Sequence, residues 1–139
     1  MKVLGIGLVV LALVAGIVPM FTDCQSQGRP PLELANGMTV AMKCHWTASG
    51  ELALAIPLLG VGAVMVAGRR KETLRSLSII GGLLGVMIIL LATRLIGVCA
   101  NPDMVCNSTM QPALIFSGIL IVAASVIGLV LSRRQTDAV

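Results

Sequence analysis

The sequence predicts an all-α integral membrane protein: a four-transmembrane-helix bundle with both termini cytoplasmic and a disulfide-stapled extracytoplasmic cap. Three observations lead there. Of 139 residues, 57% are hydrophobic and only 12% charged, with a mean hydropathy of +1.00, whereas a soluble domain carries about 25% charged residues. Four stretches are long and apolar enough to be measured against the roughly 20 residues that cross about 30 Å of hydrocarbon. All four cysteines fall in or beside the loops on one side of the resulting topology.

The first span, 3–20, follows Lys2. A basic start before an apolar run also opens a secretory signal, but this run is longer than such signals use and no small-x-small cleavage site precedes Asp23, so the helix is expected to be retained. The second span, 52–67, is short and contains Pro57, which a membrane helix tolerates when neighbours cover the freed carbonyl. Ser49 or Glu51 is expected to cap its start outside the apolar core. The third, 77–96, holds one charge, Arg94, close enough to its end to snorkel to the interface. The fourth covers 113–131.

Orientation follows from charge. Seven of the ten Lys and Arg residues (Lys2, Arg69, Arg70, Lys71, Arg75, Arg133 and Arg134) flank one side, and only Arg29, Lys43 and Arg94 the other. The positive-inside rule then places both termini and the loop 68–76 in the cytoplasm, and the loops 21–51 and 97–112 outside. The basic loop reads as this topology signal, and no nucleic-acid partner is expected. The chain reads as one membrane domain over 1–139.

The outer loops hold Cys24 and Cys44, and Cys99 and Cys106. An even number of thiols on the oxidising side reads as two disulfides. The simplest pairing closes each loop, Cys24 with Cys44 and Cys99 with Cys106. Cross-loop pairing, which would staple the loops together, stays open. In the first loop, Asn36-Gly37 between apolar and β-branched residues suggests a small hairpin from about Leu32 to Cys44.

The stretch "MKCHWT", Met42 to Thr47, gathers the only histidine and the only tryptophan beside a cysteine. Trp46 reads as an interfacial anchor. His45, Trp46 and Arg94 are the candidate functional residues of the cap. Met38, Met42, Cys44 and His45 would suit Cu(I), or zinc if the thiols stay reduced. The bland reading prevails, with methionines lining an apolar cap, cysteines oxidised, and no metal and no cofactor. Glycines at 5, 7, 60, 62, 81, 82 and 85 mark close helix approach, and Ser117 and Ser125 could bond between helices. No carboxylate, His or Lys is expected at mid-membrane, so no proton or ion path is expected. Without a catalytic set the chain is not expected to be an enzyme.

"MKCHWT" before a span, together with "LIGVCANPDMVCNSTMQPAL" from Leu95 to Leu114, resembles an uncharacterised family of small prokaryotic four-span membrane proteins, a domain of unknown function, over nearly the whole chain. The resemblance implies an accessory role beside ABC-type exporters with a large extracytoplasmic permease domain. The leading expectation is therefore a non-catalytic accessory subunit in the lipid bilayer of the cell membrane, packed against a larger membrane complex, with self-association open. The runner-up is a membrane thiol-disulfide redox protein. Against it, the cysteine gaps of 19 and 6 residues are unlike the C-x-x-C spacing that tunes thiol exchange.

Overall fold

The fold is given by a computed structural model that describes residues 2–68 and 70–134. Arg69 of the basic loop lies outside the described residues. Helix α1 spans Lys2–Thr22, α2 Lys43–Ala67, α3 Lys71–Leu90 and α4 Gln111–Arg134. A π-helical turn, Leu91–Leu95, extends α3, and another, Cys106–Met110, opens α4. Among the described residues, four helical segments are long and apolar enough to cross a membrane. The helices exceed the apolar runs: α2 begins at Lys43, so the first connection shrinks to 23–42, and the second ends at Val105 because Cys106 is already helical. Similarly, Lys71–Ser76 belong to α3. Hydropathy marks the part of a helix that contacts hydrocarbon; backbone hydrogen bonding carries the helix past it.

Within the first connection, β1 (Leu32–Glu33) and β2 (Thr39–Val40) pair antiparallel, with Leu32 opposite Val40 and Glu33 opposite Thr39. The hairpin is shorter than expected, because the chain turns helical at Lys43. Leu34 and Gly37 close its tip through Leu34 N–H to Met38 O and Gly37 N–H to Leu34 O. Only Gly37 adopts positive φ there, at 79°. That is the role of the left-handed residue following a type I turn.

α1 packs chiefly on α2 and α3 on α4, and contacts of α1 with α4 and α2 with α3 close the bundle. Small residues set these distances, since lipid supplies no hydrophobic drive and helices gain by close packing. A Cβ on Gly5 would lie 3.1 Å from the Gly62 carbonyl oxygen, and one on Gly62 would lie 3.1 Å from that of Gly5. Gly85 and Gly118 do the same between α3 and α4, where a Cβ on Gly118 would lie 3.2 Å from the Gly85 oxygen. Gly7 and Gly60 face open space. The expected serine bonds between helices do not form. Ser117 donates to Leu114 O of its own helix at 3.0 Å, and the buried Ser125 hydroxyl has no partner among the described residues.

The antiparallel path puts Lys2, the 68–70 turn and Arg134 at one end of the bundle. There a cavity of about 340 Å³ is lined by Lys71, Glu72, Arg75, Ser132 and Arg133. The other end carries every cysteine.

Candidate metal centre

Each helix brings one cysteine to this end. Cys24 follows α1 by one residue beyond Asp23, Cys44 lies in the first turn of α2, Cys99 follows the π turn that extends α3, and Cys106 opens the π turn that leads into α4. Local structure fixes each approach. After α1 the Asp23 carboxylate accepts from Ser26 N–H at 2.7 Å, and the Ser26 hydroxyl donates to Asp23 O at 2.8 Å, so the chain turns sharply with Cys24 inside. After the α3 extension Gly97, at φ 73°, donates its N–H to Leu91 O and ends the helix, as glycine does at helix C-termini. The buried Thr47 hydroxyl then donates to Gly97 O at 2.6 Å, which ties α2 to the segment two residues before Cys99.

The four sulfurs lie within 4.8 Å of one another. Their contacts form a ring: Cys44 to Cys106 at 2.8 Å, Cys106 to Cys24 at 3.3 Å, Cys24 to Cys99 at 4.0 Å and Cys99 to Cys44 at 2.9 Å. Every edge joins a cysteine of the first connection to one of the second. The contacts therefore follow the cross-loop arrangement rather than the within-loop pairing of Cys24 with Cys44 and Cys99 with Cys106. All four are free thiols in this structure. Cys24, Cys44 and Cys106 are buried and Cys99 is half-buried.

A tetrahedral ion with metal–sulfur bonds of about 2.3 Å needs sulfurs roughly 3.8 Å apart, the spacing around which this ring is built. The start of α2 also directs its unpaired N–H groups toward the cluster, which favours negative charge there. Burial pushes the Cys24 thiol up from its ordinary 9.0 to about 12, and its hydrogen bond with Cys106 acts in the same direction. A bound cation reverses that preference, because a coordinating thiol is deprotonated outright.

The quartet Met38, Met42, Cys44 and His45 is not brought together. Met38 is 65% exposed on the hairpin, and Met42 packs against the buried core. Only Cys44 reaches the sulfur ring. The reason is helical: Cys44 and His45 are consecutive on α2 and point about 100° apart. His45 turns instead to Asp23, donating from Nδ1 to Oδ2 at 3.2 Å. Burial opposes ionisation of Asp23, but hydrogen bonds from Ser26 and His45 outweigh it and hold the carboxyl below its usual range. Trp46 is exposed and meets His45 edge-on with ring centroids 6.4 Å apart. Arg94 is exposed on the α3 extension.

Glu51 is a correction. The sequence placed it as a cap outside the core; in the structure it lies inside α2, fully buried, and neither carboxylate oxygen has a hydrogen-bond partner among the described residues. It shares one stripe with Cys44 and Thr47, at the i, i+3, i+7 spacing of a helix face. That spacing was present in the sequence and would have signalled Thr47 and Glu51 had α2 been started at Lys43. Asp23 and Gly97 had no comparable signal.

The chain belongs to the family described as domain of unknown function DUF4418, whose model matches residues 3–131. No curated protein and no solved structure matches it.

Proposed function

We propose that this member of the family is a non-catalytic, multi-pass cell-membrane protein whose cysteine-bearing end faces outward and binds one zinc-class ion through Cys24, Cys44, Cys99 and Cys106. The reading rests on the closed ring of sulfur contacts. Cys44 is 2.9 Å from Cys99 and 2.8 Å from Cys106, so no two exclusive pairs are marked out, and four equivalent thiols are what a tetrahedral structural ion uses. By joining one residue from each helix, such an ion clamps both outer connections onto the bundle. Lys71, Arg75 and Arg133 around the cavity at the opposite end support a cytoplasmic placement of that end.

Metal content of protein extracted under anaerobic conditions tests the reading, together with cobalt substitution. One ion per chain and the charge-transfer absorption of a tetrahedral thiolate site, both lost on Cys44→Ser, are the expected result. Two disulfides in the intact mass of protein purified without reductant, with no bound metal, would overturn it.

A role as partner subunit draws on the hairpin. Leu32, Leu34, Met38 and Val40 are all exposed on the cap, an apolar tip suited to contacting a larger membrane complex, of which an ABC-type exporter is the expected kind. Photocrosslinking from position 38 in the native membrane tests it. Products confined to lipid would defeat it.

A further inference from the structure

The four-thiol centre is not sealed on every side. A cavity of about 160 Å³ opens beside it, and its walls include Cys24 and Cys106 together with Arg29, Asp103 and Met104. Two of the four sulfurs thus face a space large enough for several waters, while the Cys44 sulfur on the far side of the ring is fully buried. The chemistry of the walls is graded. Arg29 and the exposed Asp103 supply charge, Met104 is half-buried with a thioether, and behind it lie the two thiols. Thioether and thiolate are both soft donors, so the lining becomes more metal-seeking toward the ring.

From this geometry, and resting on the metal reading above, we infer that the cavity is the route by which the ion reaches and leaves the centre. The centre is then an exchangeable site for a thiophilic d¹⁰ cation, in contrast to a closed structural rivet. The exchange partner is a low-molecular-weight thiol. On loading, the bond from the ion to the carrier's sulfur breaks as the bond to Cys24 forms, and the Cys24 proton passes to the released carrier thiolate. No electrons change hands. Cys106 follows from the same side, and Cys44 and Cys99 complete the set from the interior and from the second connection.

The test is the rate at which full-length, zinc-loaded protein yields its ion to a chromogenic chelator in the presence of a small thiol. Val105, a half-exposed wall residue, is replaced by tryptophan to narrow the cavity. In separate proteins Met104→Leu removes the thioether at constant size and Asp103→Asn removes the charge. Release slower by roughly tenfold in Val105→Trp, and slower to a lesser degree in Met104→Leu and Asp103→Asn, with zinc content unchanged, is the expected result; loss of a supporting group around a metal commonly has an effect of this size. Unchanged rates in Met104→Leu and Asp103→Asn at full zinc content overturn the route and leave the metal reading standing. Wild-type protein that holds well under one zinc per chain overturns both.

Discussion

The hydroxyl of Thr47 donates to the carbonyl of Gly97 at 2.6 Å, joining the first turn of α2 to the chain just past the extension of α3. This one bond sets where Cys44 and Cys99 stand relative to each other, since each lies within three residues of an end of it. Replacing Thr47 by valine keeps the shape and leaves the Gly97 carbonyl without its partner. A loss of about 0.6 to 1.7 kcal/mol is expected, the range of interhelical hydrogen bonds in membranes. Thermal unfolding in detergent measures it, and chelator competition on the same protein is expected to show weaker zinc binding because Cys99 is released with Gly97.

The sulfur ring makes an ordered prediction for the cysteines. Cys44 touches two neighbours at under 3 Å, whereas Cys99 is the least buried of the four. Serine at 44 is expected to abolish zinc binding. Serine at 99, where water can complete the coordination, is expected to weaken it while leaving measurable cobalt absorption. Equal and complete loss at both positions would contradict this ranking.

Proton release links the site to pH. The metal-free Cys24 thiol is held protonated up to about 12, so binding must displace protons and zinc affinity is expected to rise with pH through neutrality. The metal-free fold shows the opposite sign at high pH. A thiol whose folded pKa lies above its ordinary 9.0 stabilises the fold fully below 9.0, and that contribution is lost as pH rises from 9.0 toward about 12. Melting temperatures of stripped and loaded protein at pH 8 and pH 10 separate the two. The stripped protein is expected to lose stability, and the loaded protein to keep it.

Asp23 gives the acid limb. Its carboxyl is held below the usual 3.8, so its contribution is complete above that value and disappears as pH falls through the folded pKa. Asp23→Asn is expected to cost about 1 kcal/mol at neutral pH, the scale of a lost hydrogen bond, and to flatten the acid side of the stability profile. A variant with an unaltered melting temperature would show that the Ser26 turn and His45 draw nothing from the carboxylate.

Glu51 yields a prediction with the reverse direction. Neither of its oxygens is satisfied, and a buried polar group without a partner costs about 1 to 3 kcal/mol. Glu51→Leu is therefore expected to raise the melting temperature by a few degrees, with zinc content unchanged. A fall in either would reveal that the carboxyl has a polar partner in the membrane.

Four spans, their approximate limits, the hairpin at Asn36-Gly37 and close helix approach at Gly5, Gly62 and Gly85 were legible because each depends on residues near in sequence: an apolar run, a turn dipeptide, a missing side chain. The gathering of four cysteines at one end was legible too, since alternating spans decide which loops share a side. Their partners were not. Loop length suggested that Cys24 would meet Cys44 and Cys99 would meet Cys106, but each cysteine is delivered by a different helix, and contacts between helix ends depend on packing angles that no local pattern encodes. His45 shows the same division. Its place beside Cys44 suggested a shared ligand set, and the turn of α2 sends its ring to Asp23 instead.

By itself, then, the sequence determined that the chain crosses a membrane four times and which end of the bundle bears the thiols, because hydropathy and alternation act along the chain. Only the tertiary structure decided that the four sulfurs close into one ring and that Glu51 sits unpartnered inside. Both follow from where Gly5 lets α1 approach α2 and Gly118 lets α4 approach α3, and such distances exist only once the helices are packed.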